Sequence, residues 1–232
     1  MTTALAVAWA NARSTVAVAY DRWFEQPWGS YAFAVESAAI SRAAGAIGNR
    51  LVLDAGCGTG RFTTRLAERR ATPVGVDIDP GMLAVAAGRL PGRCLRATIE
   101  HLPFPKATFD LTIAVTVLEF VADPAAAVAE LARVSRPGGR IVIGALNPHS
   151  PWGLANRRRL RSGAWCDARF LGRRSLRELG QPHGRTRLHS SLYAPGAIRG
   201  LWVIGPVLET LGRITPRWGA FQVLTIIKDG TS

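Results

Sequence analysis

The chain has 232 residues, 48 % of them apolar and 19 % charged, with a formal net charge of +13. That length suits one α/β domain with a sizeable core plus an insertion, and nothing in it demands two independent folding units. Three scattered cysteines without a C-x-x-C pair argue against a disulfide framework or a metal site, and no run of about eighteen uncharged apolar residues offers a membrane span, so a reducing, cytoplasmic setting is expected.

The first fifty residues read as helical. Ala-rich Leu5 to Tyr20 predicts one helix and Tyr31 to Ile47 a second that packs beside the first strand. Met1 to Ala12 is apolar, but no lysine or arginine precedes it, so it lacks the charged region of a secretory leader. Between the helices, Tyr20 to Gly29 crowds aromatics next to a turn. Trp23, Phe24 and Trp28 suit either anchoring of the two helices or a cover for a ligand.

Leu51-Val52-Leu53-Asp54-Ala55-Gly56-Cys57-Gly58-Thr59-Gly60 then runs an apolar strand into an acid and three alternate glycines. A buried parallel strand needs such an apolar run, and the glycines let the backbone turn sharply and approach a ligand that a Cβ would obstruct. Arg61 to Ala67 reads as the helix whose first amides face that ligand. Thr72 to Asp79 predicts a second strand ending in acid, with Asp77 twenty-one positions after Gly56. In a βαβ unit that spacing sets a carboxylate beside a ribose; the competing role for Asp77 is to cap the helix begun at Pro80.

Farther along, Glu119 is the one acid in the apolar run Val115 to Val121, so it either faces a cleft or caps the helix starting near Asp123-Pro124. Ala197 to Gly212 predicts a short helix and a strand around Val207 to Leu211, and Phe221 to Ile227 a closing strand. Between Arg157 and Arg187 stand ten arginines against Asp167 and Glu178, a local charge of +8. Such a patch suits an anionic partner, or is a solvated face in a chain that uses twenty-seven arginines and two lysines. Only Trp165 and Phe170 interleave with it, which disfavours nucleic acid; Trp152, Leu154 and Leu160 beside it leave room for a peripheral membrane contact.

Five ordered motifs within residues 51–147 resemble the class I S-adenosylmethionine-dependent methyltransferases, in particular the small-molecule, methyltransferase type 11 branch typified by quinone-biosynthesis enzymes. They are Asp54 to Gly60, Val76 to Leu83, Ala97 to Pro105, Phe109 to Ala114, and Glu130 to Ile143 with its Pro137-Gly138-Gly139 turn. The resemblance implies an α/β fold: a Rossmann-like seven-stranded mixed sheet of order 3-2-1-4-5-7-6 with helices on both faces. Its implied division is 1–50 as helices covering the cofactor, 51–147 as the binding core, 148–195 as a basic substrate lid, and 196–232 as the final helix and antiparallel strands. The implied cofactor-binding residues are Tyr20, Asp54, Gly56, Cys57, Gly58, Gly60, Asp77, Ile78, Met82, Thr98, Ile99, Glu100, Val115 and Thr116. Thr98 stands where many relatives carry aspartate against the adenine amino group, and its hydroxyl is a weaker acceptor.

A dinucleotide would want G-x-G-x-x-G, whereas this loop is G-x-G-x-G, and Asp54 would repel a pyrophosphate yet suit the ammonium of S-adenosylmethionine. The expected reaction is in-line methyl transfer to a small, apolar or anionic acceptor. If the acceptor must first lose a proton, the candidate bases are His149, His189, Glu119 and Tyr193. Cys166 is a candidate soft ligand. The other readings are a noncatalytic, cofactor-binding regulatory protein and, from the charge, an RNA methyltransferase.

Overall fold

The computed structural model describes residues 16–156, 167–194, 204–212 and 214–230. Helix α1 covers residues 16–23, and α2 spans Pro27–Ala44. Then come β1 (Leu51–Ala55), α3 (Arg61–Glu68), β2 (Thr72–Asp77), α4 (Pro80–Arg89), β3 (Cys94–Arg96) and β4 (Phe109–Val115). The second half holds α5 (Pro124–Val134), β5 (Ser135–Leu146), α6 (Pro151–Ala155), α7 (Arg173–Gly180), β6 (Gly184–Ser191), α8 (Gly205–Gly212) and β7 (Phe221–Lys228).

The strands form one sheet of order β3-β2-β1-β4-β5-β7-β6. β1 to β5 pair in parallel, and β7 lies antiparallel between β5 and β6. Successive strand residues point to opposite faces. Val52 and Val142 therefore join the cluster under α2 and α3 with Ile40, Ile47 and Leu66. Leu53, Ile141 and Ile143 join the opposite cluster with Val128, Leu131 and Leu176 of α5 and α7. Both faces are covered, so the carboxyl ends of β1, β2 and β4 are where a ligand meets the sheet.

Two elements differ from the sequence expectation. The sixth strand is Gly184–Ser191, inside the stretch expected as lid, while Val207 to Leu211 lies in α8. β6 is an edge strand whose Arg185, Arg187 and His189 face solvent, so it has no apolar run to announce it. The second helix begins at Pro27, four residues before the expected start, because Pro27 occupies its first turn and Gly29 lets the Trp23 carbonyl approach closely. Of the helix expected from Leu5, residues 5–15 lie outside the described residues, as do Leu160, Trp165, Cys166 and the arginines at 157, 158, 159 and 161.

Candidate cofactor cleft and acceptor site

The glycine loop turns at the end of β1, where Gly56 and Cys57 both donate their amides to the Val76 carbonyl, at 2.7 and 2.9 Å. Gly56, Gly58 and Gly60 all have positive φ, at 76°, 53° and 82°. A Cβ on Gly56 would run into the Val117 methyl groups, whereas one on Gly58 would meet nothing within 4 Å. Gly56 is thus a packing glycine, and Gly58 opens onto free space above the sheet.

Asp77 closes the other side of that space. Its carboxylate accepts from the Gly58 amide at 2.8 Å and from the Asp79 amide at 2.9 Å. It does not cap α4; Asp79 does, accepting from Gly81 and Met82. Burial pushes the Asp77 carboxyl up while those amides hold it down. Asp54 lies beneath the loop, 1 % exposed, and accepts the Thr63 hydroxyl at 2.5 Å, so it braces the first turn of α3. Burial lifts its carboxyl to about 7.

The expected adenine-side residues line up along β2, α4 and the loop after β3. Ile78 is 63 % exposed, an apolar side chain open beside Asp77, while Met82 is half-buried and Ile99 buried. The Thr98 hydroxyl donates to Glu100 at 3.0 Å, and Glu100 in turn accepts the Asp123 amide at 2.9 Å. Val115 ends β4 in the core; Thr116 follows with φ at 49°, its amide donating to the Gly144 carbonyl at 2.8 Å. A β-branched residue with positive φ is strained, a feature common at ligand clamps.

Helix α1 reaches this cleft through a network with no local sequence signal. The Asp21 carboxylate accepts from Thr59 of the loop, Arg61 of α3 and Arg89 of α4. Tyr20, next to it, stacks edge-on against Phe24 with ring centroids 5.2 Å apart, and Phe24 continues through Phe33 to Phe62. Phe24 therefore anchors α1 and α2, while Trp23, packed edge-on against it, is 38 % exposed. The Tyr20 hydroxyl is pushed up by burial and then by the charges of Glu36, Asp77 and Asp21.

Of the four candidate bases, Glu119 alone is fully buried, 0 % exposed. Asp123, not Glu119, caps α5, accepting from Ala125 and Ala126. Glu119 Oε1 accepts the Leu146 amide at 2.9 Å, and its own carbonyl accepts the Arg169 amide at 2.6 Å. His149 is exposed against Gly172. His189 is on the open face of β6, where partial burial and then Arg187, Arg173 and Arg42 hold its imidazole below the usual value. The Tyr193 hydroxyl donates to the Ser190 carbonyl at 3.4 Å and its ring packs on Gly212. Sequence reasoning missed Glu36, which lies in the buried stripe of α2 with Ala32, Phe33, Ala39 and Ile40. Its signal is being the single acid in that helix.

These residues fit S-adenosylmethionine: open space at Gly58, a carboxylate bonded to the Gly58 amide, and the exposed apolar Ile78 beside it. A methyltransferase domain family matches residues 53–143. The malonyl-[acyl-carrier protein] O-methyltransferase of Serratia marcescens is 43 % identical over 96 residues, 41 % of this chain and 38 % of that protein. The match thus spans well under half of that relative's length. An uncharacterized methyltransferase of Mycobacterium sp. (strain JLS) is 34 % identical over 179 residues, 74 % of this chain and 68 % of the relative. Among solved structures, a methyltransferase of Thermotoga maritima, described as a possible histamine N-methyltransferase, has a TM-score of 0.75 at 23 % identity, covering 93 % of this chain and 97 % of that one. The chain belongs to the class I S-adenosylmethionine-dependent methyltransferases of type 11.

Proposed function

We propose that this chain binds S-adenosylmethionine above the carboxyl ends of β1, β2 and β4 and methylates a small-molecule acceptor. The observation that carries the reading is the Gly58–Asp77 pair: a glycine open to free space whose amide is fixed by the carboxylate at the end of the next strand. Asp77 would take the ribose hydroxyls with its remaining lone pairs. Ile78, Met82 and Ile99 would flank the adenine, with the Thr98 hydroxyl accepting from its amino group. Gly56, Cys57, Gly60, Glu100, Val115 and Thr116 shape the walls, Asp54 supports the loop from below, and Tyr20 closes the methionine end.

Bound there, S-adenosylmethionine supplies a methyl group already activated by the sulfonium. The chain's work is then alignment and exclusion of water. The acceptor would enter over β4 and β5, where residues 167–172 run past Glu119. No helix among the described residues is long and apolar enough to cross a membrane.

Calorimetric titration with S-adenosylhomocysteine, with NADH as the control, tests the reading. Binding of the first alone supports it, and release of S-adenosylhomocysteine on turnover then separates an enzyme from a noncatalytic binding protein. Absence of binding, or preference for NADH, would reject it.

A further inference from the structure

Beside the cofactor cleft the fold buries two carboxylates, and the charge of one acts on the other. Glu36 comes from the middle of α2, 8 % exposed, and Glu119 from the turn after β4, fully buried. Among the described residues neither makes an ion pair. One Glu119 oxygen accepts the Leu146 amide, while the other, Oε2, is buried with no hydrogen-bond partner. Burial, and then the charge of Glu119, lifts the Glu36 carboxyl to about 8; burial lifts Glu119 to about 7.

The surroundings add a further acceptor without a partner. Gln222 of β7 meets the same residue as Glu119: its Nε2 donates to the carbonyls of Leu146 and Leu171, at 3.4 and 3.2 Å. Those two carbonyls fix the orientation of the amide, so its buried Oε1 is the atom left without a partner. From α1, the Tyr20 hydroxyl feels the charges of Glu36, Asp77 and Asp21, opposed by that of Arg61. A buried acceptor without a donor costs free energy, and an isolated buried carboxylate costs more. What relieves such a set is a ligand rich in N–H donors and carrying positive charge. An acceptor presenting a carboxylate would bring further negative charge beside these unpaired acceptors.

The place suits the nucleophile of a methyl transfer. Glu119 follows Val117, which packs on Gly56 of the cofactor loop, and the strained Thr116. Its backbone is tied to residue 169 on the acceptor side. Resting on the methyltransferase reading, we propose that Glu36 and Glu119 bind the methyl acceptor and that its nucleophile is a basic nitrogen, so that the chain is an amine N-methyltransferase.

The amine enters as an ammonium and gives one proton to the ionised member of the pair. Its freed lone pair forms the N–C bond as the S–C bond breaks, and the electrons of that bond remain on sulfur. The methylammonium product leaves, and the carboxyl returns its proton to water. A carboxyl that titrates near neutrality is matched to this task, because it can both take and return the proton there.

The test loads the full-length chain with S-adenosylhomocysteine and titrates it with three probes of similar shape: phenethylamine, 2-phenylethanol and phenylacetate. Phenethylamine is expected to bind at least about tenfold more tightly than the other two. Glu36→Gln and Glu119→Gln, with melting temperatures checked, should erase that preference while leaving S-adenosylhomocysteine affinity within about threefold. Equal or absent binding of the three probes, tighter binding of phenylacetate, or a preference that survives both substitutions overturns the inference. Loss of S-adenosylhomocysteine affinity in both variants would assign the pair to the cofactor instead. Failure of the unaltered chain to bind S-adenosylhomocysteine would remove the methyltransferase reading itself, a result separable from all of these.

Discussion

The Asp21 carboxylate meets the Arg89 guanidinium at 2.6 Å across 68 residues of sequence, joining the end of α1 to the last turn of α4. The same carboxylate accepts from Arg61 Nε at 2.8 Å and from the Thr59 hydroxyl at 2.8 Å, while Arg89 also donates to the Thr59 carbonyl at 2.7 Å. One side chain thus holds α1 against the glycine loop, α3 and α4. Burial alone would raise its carboxyl, but the bonds from Arg89, Arg61 and Thr59 outweigh burial and hold it well below the usual carboxylate range.

Asp21→Ala leaves two partly buried guanidinium groups without their partner. The expected loss is about 2 kcal/mol of stability at pH 7, read by urea unfolding. The sign with pH follows from the lowered pKa. The contribution is complete above the unfolded value of about 3.9 and fades as pH falls toward the lower folded value, so the gap between the two proteins should narrow in acid. A gap of equal size at pH 7 and pH 3 would show that packing, not charge, ties α1 down.

Gly58→Val should remove S-adenosylhomocysteine binding by filling the space beyond the loop. A side chain at φ 53° also strains the backbone, so Gly58→Ala serves as the control. Both variants carry a strain cost of about 1–2 kcal/mol, but valine alone fills the cleft deeply. The expected calorimetric result is a loss of affinity much larger for valine than for alanine. Equal losses would trace the effect to the turn.

Asp77→Ala removes the carboxylate that fixes the Gly58 and Asp79 amides. Affinity for S-adenosylhomocysteine should fall by about 1.5–3 kcal/mol, the usual cost of losing hydrogen bonds to a charged group. An unchanged dissociation constant would confine Asp77 to bracing the loop.

The core of this fold was legible because its signals are local. Leu51 to Gly60 carries strand, acid and glycines in one stretch, and Asp77 follows at a spacing that the βαβ unit fixes. The parts that stayed hidden depend on partners distant in sequence. Nothing near Asp21 announces Arg89, and nothing in the apolar helix around Glu36 announces Glu119, 83 residues on. β6 escaped because an edge strand pairs on one side and tolerates arginine on its open face, so Gly184–Ser191 shows no apolar run. The run at Val207 to Leu211 misled for the converse reason: five residues are too short to separate a strand from a helical turn. In α8 both ends of that run, Val207 and Leu211, face solvent.

Glu36→Gln should stabilise the protein, and increasingly so as pH rises. The Glu36 carboxyl sits at about 8 in the folded chain, raised by burial and then by Glu119, against about 4.3 for an unfolded glutamate. Between those values the folded state holds a proton that the unfolded state has released, so stability falls with rising pH through that window. Glutamine keeps the shape and the donor of the protonated form but carries no charge to desolvate. The variant should match the parent near pH 4 and exceed it by about 1–3 kcal/mol at pH 8 in urea unfolding. Glu119, also buried and at about 7, should behave alike over a narrower range. A stability difference that stays flat from pH 4 to pH 8 would mean that Glu36 finds a cationic partner in solution. The carboxylate pair would then be part of the scaffold and not a receptor for an amine.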